Sequence, residues 1–354
     1  MSEHNRKVVQ TGVSTSNESH AIYAALIGGI LGFVVGLAVF FGKDVTLFGK
    51  GFSLGFVIAI LGGLLSLVTY VIVSKKPSLV PKSGWQSFSN HIDTWALAIV
   101  HGLLAFLACA VLFYVIGQSF IGATLDMWAA SALTALIAGT VSYITYLSAK
   151  NMNAFLVSVL LALFLLSGTF VSMMTASDPA WWYYHFSSLG AQGGVSSYAF
   201  NATLIIAGLA LMALTRYISH DLALLDNGKS PRNDVRRKTF QVLLASMGFA
   251  LALVGVFVYD AYPFIHNTSA SGMAVLFLII VVALPWLMPQ FQKAYFAASY
   301  MLLLALLVSV WLFEVVGYFN LTVFELVATG LIFVWLIIFV RNLAALLKDA
   351  NIEA

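Results

Sequence analysis

The chain has 354 residues, of which 61% are hydrophobic and only 9% charged, with a formal net charge of +3. A soluble domain carries about 25% charged residues, and no soluble fold hides this much apolar side chain, so lipid must cover part of the surface. The single Cys109 excludes an intrachain disulfide and a thiolate zinc site, and the small net charge gives no sign of a nucleic-acid partner.

Residues 1–20 are polar and predict a disordered cytoplasmic tail. Ten runs then reach the roughly 20 apolar residues needed to cross a bilayer. They are 21–42, 53–74, 94–117, 120–148, 152–175, 194–216, 239–259, 271–289, 294–316 and 320–346. The first is of full spanning length and lacks a small-residue cleavage site, so it reads as a retained helix. The expected fold class is all-α, a polytopic integral membrane protein of the cell membrane. Its parts are the tail, a four-helix region over 21–150 and a six-helix region over 151–354.

Orientation follows from Lys and Arg. With the N-terminus inside, 15 of the 17 basic residues fall on the inner side and only Lys43 and Lys50 on the outer. An odd helix count would scramble that split, so both termini are expected in the cytoplasm. Helix one carries Gly28, Gly32 and Gly36 and helix two carries Gly55, Ala59 and Gly63, all at four-residue spacing. Such rows let backbones approach closely in lipid and predict a tight hairpin of these two helices. The inner segments 75–92 and 217–238 read as loops. The first has Trp85 and three Lys beside anionic headgroups, and the second is the longest and most basic, ending in Arg236-Arg237-Lys238.

Ionisable groups at membrane depth are costly and therefore functional candidates. Asp126, Glu314, Glu325 and His101 are the proton or ion candidates: the three carboxylates fall in the outer ends of helices, and His101 lies mid-membrane in helix three, where it reads first as a packing histidine and second as a proton relay with Asp126. Asp178 and His185 fall in one outer loop, Asp260 and His266 in another. If the two loops converge, His185, His266, Asp178 and Asp260 form a candidate acid–base or metal site. No HExxH, GxSxG or CxxC motif accompanies them, and no nucleotide-binding loop, haem motif or Schiff-base lysine is present, so no cofactor is expected.

The outer loop around Trp181, Trp182, Tyr183 and Tyr184 suits an aromatic interface belt. The run that follows it, Phe186-Ser187-Ser188-Leu189-Gly190 and then Gly193-Gly194 and Ser196-Ser197, is small and polar. Such a run predicts irregular backbone that must be buried in protein or line a cavity. Trp181, Trp182, Tyr184, Ser187, Ser188, Gly190 and Asn201 are accordingly the expected ligand-binding set.

Phe186-Ser187-Ser188-Leu189-Gly190, followed by Phe200-Asn201 and Gly208, resembles the ISDLG, FN and G pattern of a bacterial family of unknown function related to the Frag1/DRAM/Sfk1 membrane proteins. Ser188 stands where that pattern has Asp. Val254-Gly255-Val256-Phe257 with Pro263, His266 and Ala270 resembles the same family's second pattern, with residues inserted into its Phe-Pro pair. The resemblance covers helices five to ten and implies a lipid-linked or membrane-homeostasis role. The leading expectation is a non-catalytic protein that binds or moves a lipid or amphiphile at the outer leaflet. The alternatives are a lipid-modifying enzyme using the His/Asp site, an ion- or proton-coupled transporter, and a structural partner of another membrane subunit.

Overall fold

The structure, a computed structural model, describes residues 15–49, 51–74, 84–226 and 231–350. Among these are ten helices: α1 (Thr15–Phe40), α2 (Leu54–Ser74), α3 (Gly84–Ser119), α4 (Met127–Lys150), α5 (Ala154–Met174), α6 (Gly194–Asp226), α7 (Pro231–Val256), α8 (Pro263–Leu287), α9 (Lys293–Glu314) and α10 (Leu321–Asp349). Each is long and apolar enough to cross a membrane. At 1.5 Å per residue even the 21-residue α2 and α5 reach about 31 Å. The all-α polytopic class is therefore realised, and helix ends are called outer or inner here by the charge distribution.

Several boundaries differ from the expected ones, each for a local reason. Helix α1 is already formed at Thr15, where Glu18 of its first turns accepts from Tyr143 Oη of α4. Residues 15–20 of the expected tail are therefore helical, and residues 1–14 lie outside the described set. The span expected from residue 120 begins at Met127. Gly122 turns the chain at φ +76°, and Asp126 caps the helix by accepting from the Trp128 and Ala129 amides at 2.7 and 3.0 Å. The described parts of the inner stretches read as loops are helix. Helix α3 begins at Gly84, α6 runs on to Asp226, and Pro231 sits at the head of α7, as proline does at a helix start. Residues 227–230 of the second stretch, together with Lys50, Lys75, Lys76 and Lys82, lie outside the described residues. Helix α8 starts at Pro263 and thus takes in His266, which was expected in a link.

The chain divides into two compact units, residues 1–79 with 101–151, and residues 80–100 with 152–354. In the first, the glycine row of α1 faces α4 and not α2. A Cβ at Gly28, Gly32 or Gly36 would lie 2.2 Å from Ser142, 2.6 Å from Ala138 or 2.7 Å from Ser131. The expected α1–α2 hairpin is thus replaced by an α1–α4 pair, because α4 presents its own small row of Ser131, Thr134, Ala138 and Ser142. The glycines of α2 face α3, with Gly62 against Cys109 and Gly63 against Gly102. A short antiparallel ladder, β1 (Val45–Thr46) with β2 (Thr124–Leu125), ties the outer loops of this unit.

In the second unit, α6 is the central strut. Gly208 and Gly248 bring α6 and α7 into backbone contact, since a Cβ on Gly208 would sit 2.4 Å from the Gly248 carbonyl oxygen. Gly255 repeats the approach against Asn201. At the inner end Arg216 of α6 pairs with Asp93 of α3 and donates to the Ser89 carbonyl at 3.3 Å. An aromatic cluster of Phe240, Phe277, Phe291, Tyr295, Trp335 and Phe339 fills the inner half between α7, α8, α9 and α10. Trp335 Nε1 donates to Ser299 Oγ at 3.1 Å, which satisfies the polar edge of that ring.

Candidate functional site

The outer end of the second unit carries the irregular segment between α5 and α6. It folds as two 3₁₀ turns, Trp181–Tyr183 and Phe186–Gly190. Its polar groups are used internally. Asp178 accepts from the Ala180 amide at 2.8 Å, and Gln192 Oε1 accepts from the Asp178 amide at 3.2 Å. Ser188 Oγ donates to the Trp181 carbonyl at 3.3 Å. The Gly190 carbonyl accepts from Asn201 Nδ2 at 2.9 Å and from Ser197 Oγ. Ser196 Oγ reaches the Leu189 carbonyl, and Ser172 of α5 bonds to Ser196. Gly190 is required by a close approach, because a Cβ there would lie 2.5 Å from Asn201 Oδ1.

Glu325, just over one turn into α10, is drawn into the same knot. Its carboxylate accepts from the Phe186 amide at 2.5 Å and from the Ser187 amide. These are the first amides of the second 3₁₀ turn, which have no partner within the turn itself. The residue expected to carry protons therefore has its carboxylate engaged as an inter-element cap. At the same end Asn320 caps α10 through the Val323 amide at 2.9 Å and donates to the Trp182 carbonyl at 3.2 Å.

Beside the knot, His185 and His266 converge on one ring. The Tyr259 centroid is 4.3 Å from that of His185 and 5.8 Å from that of His266. His185 Nδ1 lies 3.1 Å from Ser187 Oγ. His266, only 3% exposed, places Nδ1 2.7 Å from the Phe257 carbonyl oxygen. A carbonyl can only accept, so Nδ1 carries the proton and Nε2 is left as the acceptor when the ring is neutral. Burial pushes the His185 imidazole below the usual histidine range. Asp260 close by acts the other way and His266 adds to the lowering. Tyr259 was not singled out in the sequence, and its place directly before Asp260 was the available signal.

The remaining candidates stand apart. Asp178 is committed to its own turn and does not join the His pair. Glu314 is exposed at the last residue of α9. His101 stacks on Tyr70 at 4.5 Å and bonds Ser148 Oγ at 2.9 Å, near the inner end of α4. Asp126 caps the outer end of the same helix, so 22 residues, roughly 33 Å of helix, separate it from the His101 contact and no relay joins them. Among the described residues no three His, Cys, Asp or Glu side chains are grouped to hold a metal ion.

A second feature lies deeper. The midpoints of α6, α7, α8 and α10 flank a partly open crevice walled by Leu211, Met247, Leu251, Met273, Ile332 and Phe333. Thr329 supplies the polar side chain of its lining, and no charged group lines it. Trp335 and Leu336 of its wall are buried against the aromatic cluster below.

No curated protein and no solved structure matches the chain. Residues 156–342, just over half of the chain, match a family model described as a protein of unknown function, DUF998. That match runs through all six helices that carry the knot, the histidine pair and the crevice, and the chain belongs to this family.

Proposed function

We propose that the chain binds an amphiphile through an apolar tail held in the crevice between α6, α7, α8 and α10. The observation that carries this reading is the crevice itself. It is apolar, as the walls of small-molecule sites predominantly are, and is lined by Leu, Ile, Phe and Met with no charge. Two methionines, Met247 and Met273, give a wall that can adapt to a flexible chain. This reading puts the ligand seat at the helix midpoints instead of the aromatic loop. The hydrogen bonds of Ser188, Gly190 and Asn201 are made within the segment and the start of α6, which favours a scaffolding part for that segment. Occupation of the Glu325 carboxylate by two amides favours binding over proton coupling. A lipid-handling part is also what the wider resemblance to Frag1/DRAM/Sfk1 membrane proteins implies.

The test is native mass spectrometry of the protein extracted in a mild non-ionic detergent, compared with Met273→Trp, which fills the crevice. Wild type retains an amphiphile, and the variant loses at least nine-tenths of it at unchanged helical content. Equal retention in both proteins, or none in wild type, refutes the reading.

One observation favours a second reading. His185 and His266 share Tyr259, and His185 reaches Ser187 Oγ, which is the minimum for acid–base work on a headgroup at the outer face. Turnover of an ester lipid by the reconstituted protein, lost on His266→Ala with folding intact, would support it. Identical rates in that variant would remove it.

A further inference from the structure

The inner end of the second unit holds a cleft that neither the amphiphile reading nor the family assignment accounts for. It is a shallow, open cleft where the end of α6, the start of α7 and the turn from α8 to α9 meet. Its polar walls are Asn233, Arg236, Arg237 and Gln290, and its apolar walls are Leu222, Leu287 and Met288.

The two arginines are not equivalent. Arg237 pairs with Asp234, which also holds Lys238 Nζ at 2.7 Å. Arg236 has no carboxylate partner among the described residues. Its Nη1 donates to Asn233 Oδ1 at 3.2 Å, while its Nε is buried with no acceptor. A buried guanidinium donor without an acceptor is costly, so its retention needs a partner. The Arg236 guanidinium lies 6.0 Å from the ring centroid of Trp286, which orients the group by cation–π attraction. Trp286 is itself 41% exposed at the inner end of α8, the level at which tryptophan marks the bilayer interface. The Arg236 and Gln290 side chains line one concave space.

We infer that this cleft binds a phosphate group presented by an anionic lipid of the inner leaflet. Arg236 supplies the charge-assisted donors, Asn233 and Gln290 line the cleft around the oxygens, and Leu287 and Met288 lie against the glycerol region. Guanidinium geometry matches phosphate through paired N–H donors, and basic clefts between spanning helices on this side of a membrane suit acidic headgroups. The site is independent of the crevice, which lies at the helix midpoints.

The experiment uses the full chain in a non-ionic detergent, offered short-chain phosphatidylglycerol or phosphatidylcholine of equal chain length, with bound lipid read by native mass spectrometry. Wild type is expected to retain phosphatidylglycerol at least tenfold over phosphatidylcholine. Arg236→Gln abolishes the preference and Arg236→Lys keeps part of it. Gln290→Leu, on an exposed turn, weakens it severalfold and serves if the arginine variant does not fold. No preference in wild type, or the same preference in Arg236→Gln or in Gln290→Leu, overturns the assignment. Inorganic phosphate is the second arm. Protection against thermal unfolding by phosphate alone equal to that by phosphatidylglycerol would overturn the lipid as source. Protection by the lipid only supports it.

Discussion

Glu325→Ala decides whether this carboxylate is a cap or a proton carrier. In the structure it accepts from the Phe186 and Ser187 amides. Ser187 is buried and Phe186 half-buried. Truncation leaves two amides without an acceptor, at about 1–3 kcal/mol for the buried one and about 1 kcal/mol, the bottom of that range, for the half-buried one. The loss is therefore about 2–4 kcal/mol. It falls on the local stability of the outer segment, because α5 and α6 keep their own contacts. At 1.4 kcal/mol per tenfold, amide hydrogen exchange over 185–191 should speed up by roughly 30- to 700-fold, with little change in the middle of α6. Glu325→Gln keeps one acceptor oxygen and should recover about half of the effect in kcal/mol. Unchanged exchange over 185–191 in Glu325→Ala would refute the cap. It would do so most strongly if a pH-driven flux in vesicles disappeared in the same variant.

Other outcomes follow from the same geometry. Burial holds the folded His185 below the ordinary histidine pKa of about 6.5, so the unfolded segment binds more protons in the window below that value. The stability of the outer loop is full above it and falls as the pH drops through it. A pH series of thermal unfolding should show that slope, and His185→Gln should flatten it; a slope of opposite sign contradicts the argument. Gly208→Leu drives a side chain into the Gly248 backbone and should cost at least about 1–3 kcal/mol, seen as loss of monodisperse protein. Gly42→Leu is no such control, because Gly42 has φ +65°; Gly272→Leu, where a Cβ would meet nothing, should be tolerated. Gly190→Ala should loosen the 185–191 segment much as Asn201→Ala does, and additive effects in the double variant would argue against one shared contact.

The amino-acid pattern made the ten spans legible because hydropathy over 20 residues is a property of local sequence. Partner choice between helices is not. The Gly28, Gly32 and Gly36 row indicated a close neighbour, but which one depended on the matching row of Ser131, Thr134, Ala138 and Ser142, a pairing across more than 100 residues. The polar ends of α3, α6 and α7 were read as loops because projection beyond a bilayer removes the apolar signal without ending the helix. At the outer face, Glu325 stood out as a charge at depth, but its partners are backbone amides, and an amide at residue 186 leaves no mark on the side-chain sequence. The Asn201 and Gly190 motif residues were visible as a pattern. Their part in closing the knot needed the 2.9 Å contact between Asn201 Nδ2 and the Gly190 carbonyl. The crevice was invisible for a simpler reason: Leu211, Met247, Met273 and Ile332 are ordinary apolar residues, and only their failure to meet defines a space.

The most direct measurement of the central claim is an electron cryo-microscopy map of the protein in a lipid nanodisc. An elongated density between Leu211, Met247, Met273 and Ile332, ending above Trp335, is the expected result. A crevice closed by approach of α8 to α10, or open with no ordered density in it, would contradict the claim.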